Sequence, residues 1–399
     1  MTRLTLAACL LTLICGLRIA PAQPLRLTPA AEVSLLTVVP GSELYSAFGH
    51  SAIWVRDPAA SLDTVYNFGT FEFNPPLFYF NFIKGRLIYR IDTETFRQFQ
   101  YVHQRYYNRS YTAQFLHLTP AQKQRLYTLL EVNNLPENRY YRYDFFYDNC
   151  ATRIRDVLAR ALGDSLAWDE PQTGTGLTFR QTLDEYLSES PWPEFGIDLA
   201  LGSVIDREAT RWERMYLPDY LAQEFDSAKV LTASGLVPLV SRKLPLYQGL
   251  PEEASGLPRW LTPAVPGVLL LMLSAGLAFR GRGRAPARRA GRADMALWFI
   301  AGLCGLILLL LWTATDHRQT AGNLHLMWLL PTHLIAWVLL LRRRPAPAWL
   351  RWYFQASAAL ALLALPLIWL WISPGMSPSL IPFVLLLAFR SQIQSLRLR

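Results

Sequence analysis

From Trp260 onward the chain is a succession of apolar stretches separated by arginines, and this pattern constrains the molecule more than any other. Five stretches are candidate transmembrane spans: 261–279, 295–314, 323–341, 353–372 and 376–389. Four have the roughly 20 residues that cross a bilayer core, and the last, with 14, is short. Residues 261–399 hold 14 arginines against only Asp294 and Asp316. With five spans, 13 of the 14 arginines fall on one side, which the positive-inside rule makes cytoplasmic. An all-α bundle of about five transmembrane helices follows, with a cytoplasmic C-terminus and the preceding region outside.

That region carries a different charge balance. The net charge of +9 could suggest a nucleic-acid partner, but residues 23–260 hold 23 basic and 28 acidic side chains. The basic excess sits in the most apolar third, so the pattern speaks for a membrane and no nucleic acid is expected. Only 17% of all residues are charged, against roughly 25% in soluble proteins. Residues 1–22 read as a signal peptide: Arg3, an apolar run from Leu4 to Leu17, and an A-x-A cleavage site at Ala20-Pro21-Ala22. An uncleaved anchor is the competing reading. Two independent signals therefore place residues 23–260 outside, as an exported, extracytoplasmic domain ahead of the membrane domain 261–399.

The exported domain reads as α+β. Strand-like runs occupy Glu32–Val39, His50–Arg56 and Thr64–Phe73. Thr119-Pro120 caps a helix running to about Val132. A second helix starts at Asn149 or Cys150, with Ile154, Val157, Leu158, Ala161 and Leu162 at helical spacing and Gly163 closing it. Residues 164–176 read as loop.

Of the four cysteines, Cys9 and Cys15 lie in the signal segment and Cys304 in a span, so Cys150 is alone in the exported domain. It has no disulfide to make there. On the first turn of a helix, the dipole and unpaired backbone N–H groups favour its thiolate, and Arg153 and Arg155 add positive charge. A buried, inert thiol is the bland alternative. His50 follows Gly49 at the mouth of a half-buried strand. A histidine so placed, facing a helix-start cysteine, is the arrangement of papain-like thiol enzymes, with imidazole as base. Asn67 on the next strand is the natural third group to orient the ring, though it could equally bond a turn. His103 and His117 are expected to be solvated or capping. His317 is expected either to serve function or to be solvated at the interface, and His333 either to serve function or to bond between helices. No metal or cofactor motif is present: there is no H-E-x-x-H, C-x-x-C or P-loop.

Three segments together resemble the Lnb family of bacterial lipoprotein N-acyltransferases: Tyr45-Ser46-Ala47-Phe48-Gly49-His50-Ser51-Ala52, Tyr66-Asn67-Phe68-Gly69-Thr70-Phe71 and Asp148-Asn149-Cys150-Ala151-Thr152-Arg153. Further echoes are Asn138-Arg139-Tyr140, Leu201-Gly202 with Asp206-Arg207, and Leu217-Pro218-Asp219-Tyr220-Leu221. The order of His before Cys is also similar to permuted papain-like folds, which include lecithin:retinol acyltransferase-like enzymes. The resemblance implies a thiol-dependent acyltransferase at the bacterial inner membrane, with Cys150 as nucleophile, His50 as base and Asn67 as orienting group. Its implied partners are diacylglyceryl lipoproteins and a membrane lipid acyl donor. On the residues alone, a cell-wall amidase or cysteine peptidase with the same dyad stays open, as does a non-catalytic membrane scaffold.

Overall fold

The computed structural model describes residues 25–71, 78–250, 258, 260–280, 291–342 and 345–398. The expected signal segment 1–22 lies outside them, as do Arg282, Arg284, Arg288, Arg289, Arg343, Arg344 and Arg399.

Runs of β-branched and aromatic residues become the strands β1 (Glu32–Val38), β2 (His50–Asp57), β3 (Leu62–Thr70), β4 (Ile88–Glu94), β5 (Tyr111–Leu116), β6 (Tyr140–Arg142) and β7 (Val240–Tyr247). They form one sheet in the order β7-β5-β1-β2-β3-β4-β6, antiparallel throughout. Leu35 pairs with Ile53 and Leu36 with Ala52, so odd positions of β1 face one side and even positions the other. Both sides are covered, which is why β1 is buried almost from end to end.

On the first side, Leu35, Ile53, Val55 and Phe68 pack against Leu126 and Leu130 of helix α2 (Pro120–Asn134), Ile154 and Leu158 of α3 (Cys150–Leu162), and Leu221 and Phe225 of α6 (Pro218–Ser227). On the second, Leu36, Ala52, Trp54 and Tyr111 pack against Phe99. Phe99 belongs to a short helix, Phe96–Gln100, that runs into a π-helical turn at Tyr101–Tyr106. Further helices of this part include α1 (Phe78–Ile83), α4 (Phe179–Leu187) and α5 (Pro191–Ala200), with a single turn at Arg211–Arg214. Short strands at Leu166–Ala167 and Gly174–Thr178 interrupt the stretch expected to be loop.

The capping signals act locally as their chemistry requires. Thr119 and Gln122 close a capping box at α2. At α3, the Asn149 side chain accepts from the N–H groups of Ala151 and Thr152, and the Thr152 hydroxyl accepts from the Asn149 N–H.

The C-terminal region is helical: α7 (Ala264–Arg280), α8 (Arg292–Ala314), α9 (His333–Leu341), α10 (Trp349–Pro366) and α11 (Ile381–Arg397). Among the described residues, three helical stretches are long and apolar enough to cross a membrane: Arg292–Ala314, Trp349–Ile372 and Pro378–Arg397. Ala264–Ala278 is apolar but shorter. Two of the expected spans differ here. Residues 323–341 are not one helix: 3-10 turns at Leu324–Met327 precede α9, which starts only after Pro331. The Asn323 side-chain amide there donates to the carbonyls of Leu199 and Ala200, so this irregular segment is tied to protein, the setting in which non-helical backbone is tolerated at membrane depth. The last helix, expected to end at Phe389, continues to Arg397 because Arg390 and Arg397 both pair with buried Asp294 of α8.

A buried arginine joins the two parts. Arg180 on α4 is 1% exposed and bonds Asp198 of α5 and Asp206, each at 2.7 Å. The Ser373 hydroxyl donates to Asp206, and the Ser377 N–H donates to Asp198, both from the segment between α10 and α11. Asp184 and Glu194 crowd Asp198, and burial with the neighbouring charge pushes the Asp184 carboxyl up to about 8. A proton there, and the Arg180 guanidinium, supply the positive charge this acidic group needs. The Gly202 N–H donates to the Gln319 carbonyl, and a Cβ on Gly202 would sit 1.8 Å from the Ala321 oxygen.

Leu158 is fully buried between sheet and helix. Leu158→Ala should destabilise the sheet–helix core by about 2–5 kcal/mol. Thermal unfolding of the full chain in detergent checks this, and an unchanged melting temperature would contradict the packing described.

Candidate active site

Ala52 on β2 lies opposite Asn67 on β3, and Asn67 opposite Asp92 on β4. His50, Asn67 and Glu94 therefore occupy diagonal positions on one face of the sheet, within reach of one another. The contacts follow that diagonal. His50 Nε2 lies 3.0 Å from Asn67 Oδ1, and Asn67 Nδ2 donates to Glu94 Oε1 at 2.8 Å. Because the Glu94 carboxylate accepts, the Asn67 amide must turn its oxygen to His50. That orientation makes Nε2 the protonated ring nitrogen and leaves Nδ1 to face Cys150.

Cys150 arrives from the other side of the sheet, at the end where β2 begins and β3 finishes. Gly69 lies beside it: its φ of +89° is a conformation that glycine adopts freely, and a Cβ there would make ordinary contact with Cys150 Cβ at 3.6 Å. Asn149, which caps α3, is itself pinned by donating to the carbonyls of Phe145 and Tyr216. The His50 ring and the backbone N–H groups of Ser51 and Ala151 lie about the thiol and set its acidity. Burial alone would raise the thiol, but the His50 bond and charge, with those two N–H groups, bring it below its ordinary value. Burial likewise opposes charge on His50, yet the Cys150 bond and charge, with Asn67, raise the imidazole. The two shifts favour a thiolate–imidazolium pair.

Sequence reasoning placed Cys150, His50 and Asn67, and the structure brings all three together. It missed Glu94, whose carboxyl is raised by burial and lowered in part by Asn67 and the His50 charge. No local motif marks Glu94; only the register of β3 against β4 does. His103 is not solvated as expected. It is buried in the π-helical turn, 4.3 Å from the Phe99 ring and 6.4 Å from the His50 ring by centroids. Burial, then the His50 and Arg109 charges, push it down to about 3, so it stays neutral beside the pair. His117 is exposed. His317 bonds the Phe82 carbonyl, and His333 bonds Tyr353 of the neighbouring helix.

Cys150 and His50 open into a cavity of about 620 Å³ whose walls include Phe48, Phe68, Phe71, Tyr89, Tyr143, Phe145 and Tyr216. That size is usual for a small-molecule site, and half of the lining residues are Phe or Tyr.

Two family models match the chain: Lnb N-terminal periplasmic domain over residues 26–184, and Lnb transmembrane domain over residues 253–398. Together they account for more than half of it. No curated protein and no solved structure matches.

Thiolate is lost as pH falls through the lowered thiol pKa, so alkylation of Cys150 should persist to below the ordinary thiol range. In His50→Ala the profile should move to higher pH, with about a tenfold lower rate at pH 7 for each pKa unit. Glu94→Ala should move it in the same direction by less, because the Asn67 amide loses its fixed orientation. Rates of iodoacetamide labelling across pH decide both, and coincident profiles would rule out the relay.

Proposed function

The chain belongs to the Lnb family, a membrane protein with a periplasmic domain, and we propose that it is an enzyme moving a fatty acyl chain through Cys150 to the N-terminal amine of diacylglyceryl lipoproteins at the bacterial inner membrane. The observation that carries the reading is the His50-paired thiol at the inner end of an aromatic cavity, on a domain bonded directly to membrane helices. An apolar cavity suits an acyl chain and offers little to a polar glycan or peptide. The periplasmic domain is read as permuted papain-like, with the histidine strand preceding the cysteine helix.

The chemistry follows from the residues in place. Cys150 Sγ attacks the ester carbonyl of the lipid donor, and the C–O bond breaks as the leaving alkoxide takes the proton from His50. The acyl group is now a thioester on Cys150, and His50 is neutral. The lipoprotein amine then attacks the thioester carbonyl, His50 accepts the amine proton, and the thiolate leaves, restoring the pair. Asn67 keeps the ring oriented through both steps. Lipoprotein diacylglycerol or a separate phospholipid would serve equally as ester donor.

Intact mass spectrometry of the detergent-purified chain should show a fatty-acyl increment that neutral hydroxylamine removes and that Cys150→Ala lacks. Cys150→Ala should also lose lipoprotein N-acylation by about a thousandfold or more. Undiminished N-acylation in that variant would overturn the assignment. Cleavage of peptidoglycan fragments, with no fatty-acyl thioester on Cys150, would favour the amidase reading.

A further inference from the structure

Helix α1 presents Phe80, Phe82 and Ile83 to the surroundings, each more than half exposed. Neighbouring large apolar side chains exposed on so short an element need an environment other than water. The position of α1 says which. The Lys84 carbonyl accepts from the Asp316 N–H, and the Phe82 carbonyl bonds His317 Nε2. Arg86 and Arg142, on either side of this segment, both pair with the Asp316 carboxylate.

Asp316 stands two residues beyond Ala314, where the membrane-crossing helix α8 ends. Trp312, exposed on the last turn of α8, lies four residues before it, about 6 Å at the helical rise. Two more exposed tryptophans mark the same end of the bundle. Trp371 precedes Ser373, which bonds Asp206 of the periplasmic domain, and Trp260 precedes Leu261, whose carbonyl accepts from Trp192. Tryptophans concentrate at membrane–water interfaces, so these three set the level of the boundary. Helix α1 is tied to that level by its own backbone. Lys84, with its ammonium 4.5 Å from the Phe80 ring centre, sits where lipid phosphates would be.

Phe82 also lines the Cys150 cavity, and the exposed Leu44 and Tyr45 form part of the same lining. The cavity thus runs from the thiol to a rim that includes α1. We propose that α1 inserts Phe80, Phe82 and Ile83 into the periplasm-facing leaflet, and that the Cys150 cavity opens sideways to lipid at this rim. A phospholipid chain then reaches the thiol without crossing water. The use of that route by an acyl donor rests on the acyl-transfer reading; the contact of α1 with lipid does not.

The test uses the full chain reconstituted in phosphatidylethanolamine–phosphatidylglycerol vesicles. Benzoylphenylalanine replaces Phe80 or Ile83, and in a control replaces Leu231, which is 52% exposed on the Lys229–Pro238 hairpin. Irradiation should give adducts of phospholipid mass at positions 80 and 83, several-fold above those at 231; equal yields would overturn the insertion. A second measurement follows Cys150 alkylation by a long-chain alkyl maleimide dissolved in the bilayer and by a small polar maleimide. Phe80→Glu with Ile83→Glu should slow the first about tenfold and leave the second unchanged. Equal slowing of both, or of neither, would overturn the sideways opening. Fast reaction with the bilayer reagent in a protein that forms no acyl-enzyme would uphold the opening and remove the acyl-transfer reading.

Discussion

The Arg180 guanidinium is nearly sealed from solvent, and its charge is tolerable only because Asp198 and Asp206 meet it in good geometry. Removing one partner of such a buried pair costs about 3–5 kcal/mol, far more than a surface ion pair contributes. Each of the two carboxylates also accepts from the turn that joins the last two membrane helices. A single desolvated cation therefore holds four pieces at once: α4, α5, the segment after α5, and the membrane bundle. Together with the Asp316 pairs to Arg86 and Arg142, this cluster fixes how the periplasmic domain sits on the membrane helices.

That orientation matters for a thiol whose own setting is equally determined. Cys150 owes its position to Asn149, whose side chain donates to two carbonyls and accepts from two N–H groups of α3 and so cannot drift along the helix axis. His50 owes its ring orientation to a strand ladder, Asn67 and then Glu94. Helix capping fixes one half of the pair and sheet register fixes the other. They meet where the ladder ends, and Gly69 lacks a side chain there.

Several of these features are legible in the chain and several are not. The α3 helix, its cap and its closing glycine follow from residue types within one turn of each other, and so does the Thr119-Pro120 start. His50, Asn67 and Cys150 were found because each sits in a motif with local chemistry. Glu94 carries no such mark, since a carboxylate near a strand end is common and only cross-strand pairing brings it to Asn67. His103 misled because its neighbours in sequence are Tyr101, Gln104, Arg105 and Tyr106, a polar and partly exposed run. A π-helical turn rotates it inward onto Phe99, and periodicity at 3.6 residues does not describe such a turn. The membrane boundaries failed for a related reason. Arg390 reads as the end of a span, and Asn323 to Pro331 as part of one, until their partners are known.

Asp294 carries a consequence for how the chain is made. Its two partners, Arg390 and Arg397 of α11, lie 96 and 103 residues further along. During synthesis, α8 must enter the bilayer with this carboxylate unmatched while three more helices are still to be translated. Asp294 is matched only when α11 is in place, so closure of the bundle couples α8 to a helix translated well after it.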